Sequence, residues 1–364
     1  MVSSVHHLYL HIPFCAKICP YCAFYVQTAP NEQRDLFVSA LQQEIHTAQK
    51  QYSLDLHTVY AGGGTPSLLS ADQFRRLAEA LPRGPFREFT LEVNPATVTP
   101  AKAVAWREAG VNRISLGAQS FDSNYLKILG RQHTPDQVDE TVKLLRAEGF
   151  GNISLDLMFA LPDQPLSLWL DTLQAALACE PDHISCYGLT YEEDTPFFEK
   201  LKRGEWKTDE VREIAMFDET VTRLSAAGLP PYEISNFAKP GFESIHNRAY
   251  WQGKDWLGFG PSAWSSVGAR RWQNQSDTAA YIRGNAEGRS PVGEEEPLTA
   301  ALRAKENLMF GLRTREGVPI ASLENHATQR DQLLDEGLAI IQDDHFILTQ
   351  PGRRVADSIA ALFS

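Results

Sequence analysis

Cys15, Cys19 and Cys22 sit close together near the start of the chain, spaced C-x3-C-x2-C. Thiolates are soft ligands, and a group of them selects zinc or an iron–sulfur cluster. Structural zinc asks for four ligands, and here only His11 stands near as a fourth. Three thiolates on a four-iron cluster leave one iron without a protein ligand, open to chemistry or to a chelating small molecule. Further on, "AGGGTPS" sets Gly62, Gly63 and Gly64 before Thr65. Glycines let a backbone approach a ligand closely, and the threonine adds a hydroxyl. The run has neither P-loop nor dinucleotide-binding spacing, and a tight strand-to-helix turn would use the same residues. Glu92, Gln119, Arg131 and Asp156 follow at or just beyond the ends of candidate strands. A carboxylate accepts from an ammonium or a ribose hydroxyl, and an arginine pairs with a carboxylate. Taken singly, each of the four reads as well as a solvated loop residue or a local cap.

Those groups need a scaffold that converges. Short apolar runs at 7–14, 56–63, 87–94, 111–119, 152–159 and 182–190 read as strands, with amphipathic segments between them. The helices carry start and stop signals. Ser70 and Thr99-Pro100 read as N-caps, Thr134 with Gln137 as a capping box, and Gly110 and Gly149 as terminators. Six alternations predict a parallel sheet with right-handed crossovers, curved into an incomplete (β/α)6 barrel. Ligands gather at the carboxyl ends of such strands. Past about residue 195 aromatic and glycine signals crowd together, and the polar stretch 284–297 reads as a linker. The tail reads as helices, then two strands joined by a tight turn at Asp343-Asp344, then a helix: a small winged-helix-like α+β unit. It lacks a basic recognition helix, so a packing role is expected. The predicted division is a core at 1–235, an extension at 236–290 and a C-terminal unit at 291–364. Cys179 and Cys186 read as core residues.

Composition narrows the function classes. The formal charge is −12, from 34 basic and 46 acidic residues, which disfavours non-specific nucleic-acid binding. No apolar run reaches the ~18 residues of a membrane span, and the N-terminus lacks a signal-peptide pattern. Five cysteines, three of them clustered, fit a metal site in a reducing cytoplasm better than a disulfide framework.

The cysteine spacing with Tyr21 before the last thiolate resembles the radical S-adenosylmethionine (SAM) superfamily. That resemblance implies a [4Fe–4S] cluster on Cys15, Cys19 and Cys22, with SAM chelating the open iron and its reductive cleavage as the family's radical chemistry. "YLHIPFC", "GGGTPS", "VNRISLGAQSF" and "LDLMFALP" are similar to the oxygen-independent coproporphyrinogen III oxidases and their relatives, nearly end to end. This implies SAM contacts at Tyr9, Tyr21, Gly63, Gly64, Thr65, Glu92, Gln119, Arg131 and Asp156, and room for a second SAM in some members. The oxidases carry C-x3-C-x2-C-x-C, whereas Phe24 stands at the last position here, and the chain begins only a few residues before its first strand. Both departures resemble the heme chaperone family, HemW. That family implies heme as a ligand, acceptor apo-hemoproteins as partners, those of respiratory membrane complexes among them, and a cytoplasmic protein, peripheral to the membrane's inner face in one version. A monomer and a homodimer are equally open. "HNRAYW" matches the family's heme-associated H-N-x-x-Y-W, which implies His246 as a heme residue. An imidazole is a good axial iron ligand and aromatics pack on porphyrin faces. A hydrogen-bonded histidine beside core aromatics accounts for the same residues. Oxidative decarboxylation of coproporphyrinogen and radical modification of RNA are the rival functions within this fold.

Overall fold

A computed structural model describes residues 4–363. Six strands run in sequence order across one parallel sheet: β1 (Ser4–Ile12), β2 (Ser53–Gly63), β3 (Glu88–Val93), β4 (Arg113–Gln119), β5 (Ile153–Phe159) and β6 (His183–Gly188). The crossovers carry α1 (Asn31–Ala48), α2 (Ala71–Glu79), α3 (Pro100–Glu108), α4 (Ser123–Ile128) with α5 (Pro135–Ala147), and α6 (Leu166–Ala178). The chain forms the expected incomplete (β/α)6 barrel. The caps form as read: Thr99 accepts from the Lys102 amide, and Ser70 and Thr134 close capping boxes with Gln73 and Gln137.

Each of these parallel strands alternates. Leu8, Leu10, Val59, Ala61, Phe89, Leu91, Ile114, Leu116, Ile153, Leu155 and Ile184 pack in the main apolar core. Their neighbours in sequence are His7, Tyr60, Glu92, Arg113, Ser115, Asp156 and Ser185. A period of two puts successive side chains on opposite faces. A parallel sheet covered on both faces by helices reads as continuous apolar runs. Here one face meets helices and the other lines a polar lumen, so the strands alternate.

After α7 (Pro196–Lys202) and α8 (Glu210–Ala226), the segment beyond residue 235 is built into the barrel. β7 (Asn236–Ala238) pairs antiparallel with β6, and β8 (Leu257–Phe259), which follows α9 (Ile245–Trp251), pairs parallel with β1. A second sheet holds β9 (Trp264–Val267), β10 (Arg270–Asn274) and β11 (Val292–Pro297) in the order β11-β10-β9, with α10 (Thr278–Ala286) in the connection. The polar stretch 284–297 is therefore not a linker. Its last six residues form β11, held across the pair by Arg270 on Glu295 at 2.8 Å and Arg271 on Glu296 at 3.5 Å. An edge strand exposed along its length can be charged throughout, which hid it from the apolar pattern. The predicted boundary at 290/291 thus cuts through a sheet.

The tail has its own core of Leu308, Leu312, Val318, Leu333, Phe346, Ile359 and their neighbours. It runs α11 (Ala300–Gly311), β12 (Val318–Pro319), α12 (Ala327–Asp335), β13 (Ala339–Gln342), β14 (His345–Leu348), with α13 (Gln350–Arg354) and α14 (Ala356–Leu362) closing it. Asp343 and Asp344, both at positive φ, make the tight β13–β14 turn. Among the described residues no helix is long and apolar enough to cross a membrane.

Candidate functional site

The lumen opens at the carboxyl ends of the strands into a cavity of about 860 Å³. Cys15, Cys19 and Cys22 all line it from the β1–α1 loop, as free, half-buried thiols. Backbone bonds shape that loop. Gln27 N donates to Pro13 O at 2.7 Å, Cys15 N to Gln27 O at 2.9 Å, and Cys22 N to Cys19 O at 3.1 Å. The glycine run clasps the same strand end, with Gly64 N on Ile12 O and Thr65 N on Phe14 O. No side chain fits there. A Cβ on Gly64 would lie 2.8 Å from Phe14 O, and Gly63, at φ +105°, has the His11 ring 2.6 Å from where its Cβ would stand. Thr65 Oγ1 donates to Cys15 Sγ at 3.5 Å, and Arg131 Nη1 stands 4.0 Å from Cys19 Sγ. Burial raises the Cys15 and Cys22 thiols above their ordinary value; metal ligation reverses this by deprotonating them.

Two carboxylates face the lumen. Glu92 accepts from the Tyr60 hydroxyl at 2.9 Å and from Gly63 N at 3.1 Å. Asp156 accepts from Ser115 and Ser185, each at 2.8 Å, and from Ser154 at 3.3 Å. Burial, and secondarily the Asp156 charge, pushes Glu92 up to about 7. Burial also raises Asp156, against the pull of its serine donors. Arg131 lines the cavity and donates through Nη2 to Gly117 O at 2.7 Å. Gln119 lines it from a strand end at φ +64°, and Tyr21, Gly63, Gly64 and Thr65 complete the predicted set there.

Tyr9 and His246 are the exceptions. Neither is among the cavity-lining residues. The Tyr9 hydroxyl donates to His11 Nδ1 at 3.0 Å, and His11 Nε2 donates to Tyr25 O at 2.9 Å. Both nitrogens of His11 are thus spoken for, which removes the zinc alternative that needed it. His246, on α9, is 1% exposed. Its Nδ1 bonds Thr58 Oγ1 at 2.8 Å and its Nε2 bonds the Tyr250 hydroxyl at 2.9 Å. Burial holds it neutral, down to about 3. As an axial iron ligand the expectation does not hold in this conformation, because neither ring nitrogen is free. Its neighbour Asn247 does line the cavity.

Sequence reasoning missed Arg113, Ser115, Tyr60, Ser185 and Tyr187, which all line the cavity. The signal was present. Arg113, Ser115, Gly117 and Gln119 occupy alternate positions of one strand between apolar partners, and all four line the lumen. Arg113 is 1% exposed, and the Nε atoms of Arg113 and Arg131 are buried without a hydrogen-bond partner. Buried donors left open at a cavity wall suit a polar ligand.

Comparison with known proteins is decisive at this point. The model of the radical SAM superfamily matches residues 9–176. The curated heme chaperone HemW of Bacillus subtilis is 34% identical over 98% of this chain and 98% of its own. The chain belongs to the HemW family. HemW of Escherichia coli is 33% identical, covering 98% of this chain and 97% of its own. Among solved structures, the coproporphyrinogen III oxidase HemN of Escherichia coli superposes with a TM-score of 0.86 at 22% identity, covering 100% of this chain and 91% of the other; at that identity the likeness is one of fold.

Membership of the radical SAM superfamily implies a [4Fe–4S] cluster and SAM. The residues present fit both. Three half-buried thiols share one loop facing the lumen, and hydroxyl, guanidinium and carboxylate groups with unspent hydrogen-bonding capacity surround them. The Glu92 carboxylate beside the glycine run has the chemistry to accept from an ammonium group, and an arginine that to pair with a carboxylate. Glu92→Gln is expected to weaken SAM binding to cluster-loaded protein by about 1.5–3 kcal/mol, the scale of one charge-assisted hydrogen bond. The sign of the pH effect follows from the raised Glu92 carboxyl. Below pH about 7 it is protonated and must lose a proton to meet a cation, so affinity should fall as pH drops from 8 to 6. Calorimetry across that range checks it. A flat profile in the parent and equal affinity in Glu92→Gln would remove Glu92 from the grip.

Proposed function

We propose that this protein is a heme chaperone: it binds heme and hands it to acceptor apo-hemoproteins, with a [4Fe–4S] cluster on Cys15, Cys19 and Cys22 and SAM in the adjoining lumen. Near-full-length similarity to proteins named heme chaperones is the observation that carries this reading. Phe24 supports it from the chain's own residues. It occupies the position of the oxidases' fourth cysteine, lines the cavity rim, and is 71% exposed. An apolar ring there suits the face of a porphyrin, and it removes one thiol from the site. When bound, SAM would supply the ligand that the open iron lacks. The protein's residues would hold its ends, with Asp156 fixed among three serine hydroxyls.

In this reading His246 holds α9 against the barrel through Thr58, its other nitrogen being taken within the helix by Tyr250, and heme ligation falls to another group. The test is anaerobic and uses one preparation of cluster-loaded protein. With SAM and reductant, the expected result is no conversion of coproporphyrinogen III to protoporphyrinogen IX, together with transfer of bound heme to an apo-hemoprotein such as a respiratory cytochrome subunit. Cluster-dependent product above a trace would return the chain to the oxidases. Failure to retain heme through gel filtration would end the chaperone reading. His246→Ala is expected to keep the iron–sulfur spectrum and lower heme occupancy by loosening α9, whereas His246→Asn, which can still bond on both sides, should recover part of it.

A further inference from the structure

The sheet carries a second group of metal-ligating side chains at the end opposite the cysteine loop, at the amino ends of β1 and β2. The register there is broken. Val5 pairs with Leu54 and His7 with Thr58, so β2 inserts residues 55–57 opposite the single residue His6. Bulges re-aim side chains, and this one gathers His6, Asp55 and His57. One ligand atom from each lies within 4.8 Å of the other two. The His6 and His57 rings stack at 4.4 Å between centroids. His6 Nδ1 stands 2.7 Å from the Asp55 carbonyl oxygen, and a carbonyl only accepts, so Nδ1 carries the hydrogen and Nε2 keeps a free lone pair. The Asp55 carboxylate, 3.6 Å from that ring, is on an open, 73% exposed side chain.

We propose that His6, Asp55 and His57 bind a divalent first-row transition-metal ion of the zinc class, a site independent of the iron–sulfur cluster. Two imidazoles and one carboxylate form a borderline nitrogen–oxygen donor set, which selects zinc-type ions over magnesium or calcium. Metal–ligand bonds of about 2.0 Å need ligand atoms roughly 3.3 Å apart in a tetrahedron. The bulge brings one ligand atom of each residue to within 4.8 Å of the other two, and rotation of the exposed Asp55 side chain has to carry its carboxylate from the Nδ1 side of His6 toward the free Nε2. Three protein ligands leave one position to water or an incoming ligand. Arg87 acts against a cation at His57 and Asp55 offsets it, while Lys254 acts on the neighbouring His7. His7 is not a fourth ligand: its Nδ1 is taken by Thr58 at 2.9 Å and its ring stands edge-on to His57.

Zinc ions alone, titrated by calorimetry into full-length, cluster-loaded protein, test this. The parent should bind one zinc equivalent that Asp55→Asn and His57→Ala each bind at least tenfold more weakly, with iron and sulfide content unchanged in both. His345→Ala, in the β13–β14 hairpin, should titrate like the parent. Asp55→Asn guards against a folding artefact, since the side chain is exposed and isosteric. Equal zinc titrations in the parent and the two site variants, or no zinc bound by the parent below millimolar concentration, would overturn the site.

Discussion

Cys19→Ala is expected to leave the protein without its four-iron cluster after anaerobic reconstitution, losing the visible absorption and the iron and sulfide content together. The effect should be close to all-or-none. The three cysteines of the β1–α1 loop are the clustered thiols of the chain, and the other two stand elsewhere: Cys186 in the apolar core of β6 and Cys179 past the end of α6, its thiol on Ala175 O at 3.5 Å. With one ligand gone, two thiolates remain and two of the four irons are left without a protein ligand. Cys179→Ala, as a control, should reconstitute normally. A normal four-iron cluster in Cys19→Ala would move the metal site away from this loop.

Glu88→Ala is expected to have the largest effect on how α9 is held. Glu88 is 3% exposed, and its carboxylate accepts from Ser244 Oγ at 3.1 Å, Ile245 N at 2.8 Å and His246 N at 3.0 Å. It thus holds the first turn of the helix whose Asn247 reaches the cavity. Removing the carboxylate leaves buried donors unpaired, at a cost of about 2–4 kcal/mol. Amide exchange at Ile245 and His246 should accelerate by roughly 30- to 1000-fold, the same energy at 1.4 kcal/mol per tenfold. Exchange within β4 and β5 should change little. Unaltered protection at Ile245 would show that α9 is held by its apolar contacts instead.

The distinction between these two predictions follows what could be read from residues alone. Cys15, Cys19 and Cys22 lie within one loop, and local spacing determines a cluster loop without long-range packing. The six parallel strands and their capped helices were legible for the same reason. Turn, cap and period-two signals are local, and Ser70, Thr99 and Thr134 cap as their sequences require. The lumen-facing polar set was half legible. Glu92 and Asp156 stood out as charges near strand ends, whereas Arg113 and Ser115 needed the alternation to be read as two faces with different surroundings.

Tertiary structure alone decided the rest. "HNRAYW" itself supplies Tyr250, one helical turn on, as partner to one nitrogen of His246, but nothing local in it says that the other meets Thr58, 188 residues away. A histidine's role is set by what stands at its two nitrogens, and the partner that ties this one to the barrel comes from a distant strand. The same holds for β11, whose charges read as linker until Arg270 and Arg271 stand across from them. It holds too for His6, which a break in the β1–β2 register sets beside Asp55, 49 residues on, and its strand neighbour His57. Spacing determines which groups share a loop. Register and packing determine which groups from distant loops share a site, because hydrogen-bond partners and ligand sets are chosen by distance in space.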